Sequence, residues 1–225
     1  DCKLGAGEKA VGLDSKNANA HAAVAEAYLH AKRLPDAQKA ALAALQFAPN
    51  SADAHRAQAW MLTLSGQKEN ALAEWDETVA LEPSFYLRYF ELGEVKRVFF
   101  NLPADAVDAY QKSVSLYGAY IPAISRLGYA LIDANRASDA TTTLRRALTL
   151  DPNNAEIAAN LGIAYQRTNQ CGQAIPYFTL ALKLDPNISL AQRGISECQS
   201  AKAATPSART APDVPLILPT LVPAR

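Results

Sequence analysis

The sequence is poor in cysteine, has no excess of charge of either sign, and contains no long apolar run. Its 225 residues include three cysteines, and Lys plus Arg total 22 against 22 for Asp plus Glu. A neutral chain produces no overall field that would gather nucleic acid or an anionic membrane surface. No apolar stretch approaches the roughly 18 residues that span a bilayer. Composition therefore predicts neither nucleic-acid binding nor membrane insertion.

The residues that commonly carry chemistry lack the spacing of a catalytic or metal site. Cys2, Cys171 and Cys198 form no C-x-x-C pair, and three cysteines are too few for a disulfide framework. We expect Cys171 and Cys198 to be small packing or surface residues. The sequence has no glycine-rich phosphate loop and no G-x-S-x-G element. We therefore expect no enzyme activity, no metal and no cofactor. The three cysteines do not indicate a cellular compartment.

The segment LGIAYQRTNQCGQAIPYFTLALKLDPN carries apolar and small residues at helical spacing. Leu161 and Tyr165 share one helix face, while Ala174 and Phe178 share a face of the following helix. Gly162 and Ala174 are small, so the two helices can approach closely. The Asp-Pro dipeptide ends the second helix, because proline has no N–H and restricts the residue before it. The segment therefore predicts a helical hairpin.

This hairpin recurs along the chain. Pro152 precedes Pro186 by 34 residues, and Pro49 precedes Pro83 by the same interval. The pattern resembles the tetratricopeptide repeat, a family of 34-residue helix-turn-helix units. The resemblance implies an all-α, right-handed superhelical solenoid of such repeats. We expect them at residues 18–51, 52–85, 86–120, 121–154 and 155–188.

Both ends of the chain depart from complete repeats. Residues 1–17 are predicted to form the second half of a repeat, and residues 189–203 a C-terminal capping helix. Residues 204–225 are rich in proline and are predicted to form an extended tail. The first and last helices look complementary. Either residues before Asp1 supply a missing helix, or copies of the chain stack head to tail.

Three internal features depart from the regular pattern. The third repeat has one extra residue within KRVFFNLPADA, so we expect its two helices to be slightly displaced. Pro176 falls inside a helix, where it removes a hydrogen bond and should bend the chain mildly. His21 and His55 occupy equivalent places in adjacent repeats. Partly buried packing is the interpretation we prefer over a metal or acid–base role, since no ligand spacing surrounds them.

In the family that the sequence resembles, partners usually lie in a concave groove lined by the first helix of each repeat. Carried onto this sequence by position, the predicted groove residues are Arg56, Trp60, Phe90, Glu94, Arg97, Arg126, Tyr129, Asp133, Asn160, Gln166 and Arg167. Arginine and aromatic side chains suit an extended peptide. The alternative is that these are ordinary solvated helix residues paired with each other. We expect Arg126 and Tyr129 to be exposed.

The tail and one turn supply two further predictions. Six apolar tail residues are predicted to lie against a helical surface of the same chain or a neighbour: Val214, Leu216, Ile217, Leu218, Leu221 and Val222. Asn187-Ile188-Ser189 matches an N-glycosylation acceptor, which matters only in an exported protein. The stronger interpretation is that Asn187 belongs to the turn that every repeat carries.

Together these patterns predict a non-enzymatic protein–protein interaction scaffold that binds an extended peptide or partner segment. One alternative is a structural subunit that self-assembles head to tail, or docks into a larger complex through its half-repeats and tail. Another is the regulatory region of an enzyme encoded on a longer chain. The expected partner is a protein or an extended peptide, or a further copy of the chain where it self-associates.

Overall fold

The computed structural model describes residues 2–204, which form twelve α-helices and one π-helical turn. None of these helices is both long enough and apolar enough to cross a bilayer. The predicted tail residues beyond Ala204 lie outside the described residues. The helices are α1 (Cys2–Leu13), α2 (Ala18–His30), α3 (Leu34–Phe47), α4 (Ala52–Leu64), α5 (Lys68–Leu81), α6 (Tyr86–Glu94), α7 (Pro103–Leu116), α8 (Ile121–Asp133), α9 (Ala137–Leu150), α10 (Ala155–Arg167), α11 (Cys171–Leu184) and α12 (Ser189–Ala204), with the π-turn (Val95–Phe99) between α6 and α7.

The helices form an all-α stack in which neighbours along the chain pack in pairs. α2 packs on α3, α4 on α5, α6 on α7, α8 on α9, and α10 on α11. At the two ends, α1 packs on α2, and α12 packs on α10 and α11. We call α2, α4, α6, α8 and α10 the first helices of these pairs.

The turns that begin three of the first helices use side-chain caps in matching positions. Asn17 Oδ1 accepts a hydrogen bond from the backbone of Ala20 at 3.0 Å, and Ser51 Oγ accepts one from Ala54 at 3.4 Å. Asn154 Oδ1 accepts the corresponding bond at the start of α10. Each cap satisfies a donor that the first turn of a helix leaves without an intrahelical partner. These residues therefore fix where their helices begin.

The turn inside each helix pair depends on one residue with a positive φ. Gly66, Asn101, Asn135 and Asn169 adopt φ between 52° and 73°, as does Lys32. Glycine and asparagine tolerate this left-handed region better than other residues. The following backbone N–H turns back onto the first helix, as in the bond from Gln170 N to Tyr165 O at 2.8 Å.

A small residue on each first helix faces its partner helix. A methyl group added to Gly162 would lie 2.6 Å from the Phe178 ring, and one added to Gly93 would lie 2.6 Å from Tyr110. A methyl group added to Gly128 would likewise clash with the side chain of Leu144. The buried Ala25 and Ala59 occupy the corresponding positions of α2 and α4. These three glycines are therefore required for close approach of the paired helices.

The extra residue of the third repeat forms the π-turn. Phe100 N–H bonds to Val95 O at 3.2 Å, the i to i+5 bond that defines this geometry. The expected irregularity is therefore confined to the end of α6. Pro176 causes no interruption, since α11 runs from Cys171 to Leu184 through it.

A disulfide joins α11 to α12. Cys171 and Cys198 are bonded, with their Cα atoms 5.2 Å apart, and Cys198 is buried. Cys198 is a packing residue, as expected, but the bond between Cys171 and Cys198 is not among the sequence predictions. α12 also packs through Gly194 against Phe178, so that this ring lies between Gly162 and Gly194. Covalent and apolar contacts together hold α12 on the stack.

Replacing Gly162 with alanine should destabilise the C-terminal part of the stack by up to about 2.5 kcal/mol. Overpacking lowers the free energy of unfolding by about 1–3 kcal/mol, whereas replacing a helical glycine with alanine raises it by about 0.5–1 kcal/mol. The matched control is Gly172→Ala, because nothing lies within 4 Å of a methyl group at Gly172. Urea unfolding followed by circular dichroism measures both. Equal stability of the two variants would contradict the close contact with Phe178.

Reduction of the disulfide should destabilise the C-terminal helices by roughly 3–4 kcal/mol, the chain-entropy value for closing a loop of this length. The two cysteines are 27 residues apart. Urea unfolding with and without dithiothreitol gives the difference, and a Cys171→Ser/Cys198→Ser variant should be insensitive to the reductant. Alkylation of all three cysteines in the folded, unreduced protein would show that the bond does not form.

Candidate interaction surface

The predicted groove residues lie on four first helices and on the π-turn. α4 carries Arg56 and Trp60, α6 carries Phe90 and Glu94, and the π-turn carries Arg97. The remaining six lie on α8 and α10: Arg126, Tyr129, Asp133, Asn160, Gln166 and Arg167. We call the surface formed by the first helices and α12 the first-helix surface. Several of its charged residues contact the neighbouring helix pair.

Arg56 is the centre of one such contact. Its guanidinium lies 2.8 Å from Glu26 of α2 and 2.7 Å from Glu91 of α6, so it links three consecutive first helices. Burial opposes the charged form, but hydrogen bonds to Glu91 and Glu26 outweigh it and raise the pKa of Arg56. Arg56 is therefore a permanently charged, fully engaged residue.

A second arginine, absent from the predicted groove residues, extends this cluster. Arg88 of α6 is buried and contacts Asp53 at 2.5 Å and Glu82 at 2.6 Å, and it lies 3.8 Å from Glu91. The signal that could have identified it is the spacing of opposite charges. Asp53 and Arg88 are 35 residues apart, so the repeat places them side by side.

Corresponding ion pairs join α6, α8 and α10. Arg126 lies 3.2 Å from Glu94 and 3.7 Å from Glu156, and Arg97 lies 3.2 Å from Asp133. Glu94 also accepts a hydrogen bond from the buried hydroxyl of Tyr110. Burial, together with that bond, raises the pKa of Tyr110 and keeps it neutral. The first-helix surface is thus crossed by ion pairs from one helix pair to the next.

The side chain of Tyr129 is buried, whereas the sequence analysis predicts that it is exposed. It is 7% exposed and belongs to the main apolar cluster, so the prediction of an exposed groove residue is wrong. Burial raises the pKa of Tyr129, and the Arg126 guanidinium lies 5.5 Å from its ring centre. The helix carries apolar residues on most faces, so position alone overestimates the exposure of this side chain. Arg126 remains accessible beside it.

In the described part of the chain, three pockets of about 360 to 400 Å³ open between first helices, or between α10 and α12. The first, of about 400 Å³, is lined by Glu26, Leu29, His30, Arg56, Trp60, Leu64 and Glu91. The second, of about 360 Å³, lies around Phe90, Arg126 and Tyr129. The third, of about 380 Å³, lies between α10 and α12 and includes Gln166 and Arg167. These pockets bring together most of the predicted groove residues: Arg56, Trp60, Phe90, Arg126, Tyr129, Gln166 and Arg167.

The α10 end of the surface is polar. Gln166 donates a hydrogen bond to Glu197 of α12 at 2.7 Å, and Asn160 donates one to the backbone of Glu156 at 2.8 Å. Arg167 is exposed. These side chains have donors and acceptors suited to the backbone of an extended segment. Asn187, the predicted glycosylation acceptor, is exposed in the turn before α12.

Two of the histidines contact turns of the stack. His21 Nε2 lies 3.0 Å from Ser15 O, and His55 Nε2 lies 2.8 Å from Pro49 O, so each contacts the turn before its own helix. His55 also lies 2.7 Å from Glu74. Among residues 2–204 no group of three or more His, Cys, Asp or Glu side chains could hold a metal ion.

Comparison of the sequence with family models finds two overlapping matches near the C-terminal end. A model described as TPR repeat matches residues 128–169, and one described as tetratricopeptide repeat matches residues 155–188. No curated protein sequence matches the chain.

Several solved structures share the fold. The crystal structure of YrrB, described as a TPR protein with an unusual peptide-binding site, has a TM-score of 0.71 and 19% identity, over 85% of this chain and 98% of that one. MamA from Desulfovibrio magneticus RS-1 has a TM-score of 0.66 and 18% identity, over 76% and 96%. The Cut9–Hcn1 hetero-tetramer of the APC/C has a TM-score of 0.62 and 21% identity, over 87% and 39%. The repeat models identify tetratricopeptide repeats within residues 128–188, and these solved structures share the paired-helix fold of the described stack.

Proposed function

We propose that this protein is a non-enzymatic interaction scaffold that binds an extended peptide or partner segment along the first-helix surface, as the concave groove of a right-handed superhelix. The observation that carries the proposal is the position of the three pockets along that surface. Tetratricopeptide repeat proteins mediate protein–protein interactions, and YrrB, which shares the fold, is described as having a peptide-binding site. An extended chain is the shape that can reach successive pockets.

The ion pairs determine what the groove contributes to binding. Arg56 and Arg126 are held by carboxylates on both neighbouring first helices, so their orientation is set before a partner arrives. A preorganised surface loses less side-chain entropy on binding than a mobile one. Because these charges are already paired, they contribute more to selectivity than to affinity. Most of the affinity then comes from apolar side chains that enter the pockets, with a smaller contribution from polar contacts.

The scaffold proposal predicts that peptides selected from a displayed random library bind through the groove. A double variant, Arg126→Ala/Arg167→Ala, should weaken selected peptides about tenfold, since two accessible polar contacts each contribute about 0.5–1.5 kcal/mol. Fluorescence anisotropy with labelled peptides measures the loss. The matched control is Arg136→Ala on the turn before α9, where Arg136 pairs locally with Asp139. Failure to select any peptide, or equal binding by both variants, would contradict the groove assignment.

A head-to-tail structural subunit is the second candidate, and the outer face of α1 favours it. Leu13 is 82% exposed, and Gly5, Ala6 and Gly12 of the same helix are small and exposed, so another helix could approach closely. The open face of α12 is polar, with Gln192 and Ser196 exposed, as in a helix that caps a repeat array. Support for self-association therefore comes from α1 alone.

This second candidate predicts a weight-average mass that grows with protein concentration in sedimentation velocity. Leu13→Glu should keep the protein monomeric, because it places a charge in the apolar centre of the contact. Leu150→Glu is the control, since Leu150 is 45% exposed at the far end of α9. A chain that is monomeric at every concentration would rule out head-to-tail assembly.

A further inference from the structure

The first of the three pockets, which we call the Trp60 pocket, has exposed apolar side chains in its wall and beside Trp60. Leu64 lines it and is 41% exposed. Phe99 contacts Trp60 and is 45% exposed, and the adjacent Val98 is 55% exposed. Single exposed apolar residues are common on protein surfaces, but several of them in and beside a cavity are typical of a binding site.

The indole of Trp60 is a rigid wall of this pocket. Its ring lies edge-on to Trp75, with centroids 5.3 Å apart, and edge-on to Phe99, with centroids 5.8 Å apart. Trp75 is fully buried, and its Nε1 donates a hydrogen bond to Thr63 at 3.3 Å. Trp60 therefore cannot turn into the cavity without losing both ring contacts. A fixed aromatic surface binds a side chain at low entropic cost.

The π-turn is responsible for the third aromatic residue at this site. The inserted residue of the third repeat widens the end of α6, and Phe100 packs inward while Phe99 remains outside beside Trp60. π-turns inside helices occur frequently at functional sites.

The charges around the pocket are unbalanced. Glu91 contacts both Arg56 and Arg88. Arg56 also pairs with Glu26, and Arg88 pairs with Asp53 and Glu82. Four carboxylates thus face two guanidinium groups, and of these charges Arg56, Glu26 and Glu91 line the pocket. The guanidinium groups are engaged from several sides, whereas Glu26 and Asp53 keep substantial solvent exposure. A cationic group of a partner would find free carboxylate oxygens, and an acidic group would be repelled.

We propose that the Trp60 pocket binds one large apolar side chain of an extended partner peptide that carries Lys or Arg next to it. The apolar side chain packs between Trp60, Leu64 and Leu29, and the basic group pairs with Glu26 at the rim. This inference rests on the proposed groove function and specifies one position of the bound peptide. The pocket volume of about 400 Å³ accommodates one bulky side chain.

The experiment selects peptides from a displayed random library on the full chain and sequences the bound population. The enriched peptides should share a large apolar residue with Lys or Arg beside it. Leu64→Glu should weaken them at least about tenfold, because the new charge would lie against the apolar side chain. Leu150→Glu, at a similarly exposed leucine outside the first-helix surface, should leave binding unchanged.

The charge requirement is tested separately with Glu26→Gln. This variant should weaken the selected peptides about threefold, as expected for a partly exposed ion pair. It should have no effect on the same peptides with norleucine in place of Lys or Arg. Arg56 keeps its contact with Glu91 in this variant, so the fold is retained. Thermal unfolding of Glu26→Gln, compared with the unmodified protein, checks that the fold is retained.

The outcomes separate this inference from the proposed function. Selected peptides that bind Leu64→Glu as tightly as the unmodified protein, or that lack basic residues, overturn the inference and leave the groove function intact. Absence of any selected peptide overturns both. A synthetic peptide of residues 213–225 that displaces the selected peptides from the unmodified protein but does not bind Leu64→Glu would identify the chain's own tail as the occupant, against a foreign partner.

Discussion

The close approach of two helices within each pair is the constraint on which the other contacts depend. Gly162 and Gly128 leave no room for a side chain, because Phe178 and Leu144 fill the space where a methyl group would stand. If the small residue were larger, the partner helix would move outward, and with it the surface on which the next pair stacks. Close packing transmits such displacements, since protein interiors are dense and contain few voids. The positions of the first helices therefore follow from contacts on their opposite side.

The ion pairs of the first-helix surface require that regular stacking. Arg56 reaches Glu26 and Glu91 because three first helices lie side by side, and Arg126 reaches Glu94 and Glu156 for the same reason. These partners are far apart in sequence and meet only in the assembled stack. Partly buried pairs of this kind contribute modestly to stability, but they disfavour alternative arrangements, because a displaced pair would leave a charge without its partner. They orient the surface more than they strengthen it.

The helix pairs could be predicted from the sequence because proline, glycine and alanine recur at a period that repeated hairpins explain. The turns inside the pairs could have been found too, since Gly66, Asn135 and Asn169 follow the same register and favour a positive φ. The disulfide could not, because Cys171 and Cys198 meet only when α12 docks on α11. The exposure of Tyr129 depends on how deeply the neighbouring helix pair covers α8, which a position in a repeat does not reveal. The role of the groove residues in binding stays a prediction.

The inserted residue of the third pair shows how a solenoid can acquire a distinctive site without losing its order. First helices begin at 18, 52 and 86, then at 121 and 155, so the insertion shifts the register once and later pairs resume the regular interval. The π-turn absorbs the extra residue at the end of α6, and α7 still packs on α6 and on α8. Its consequence is local, because Phe99 stands exposed beside Trp60. A purely structural role would favour a polar residue there, because an exposed aromatic ring gains little from the stack. A binding role explains the contact of that ring with Trp60, which lines a pocket.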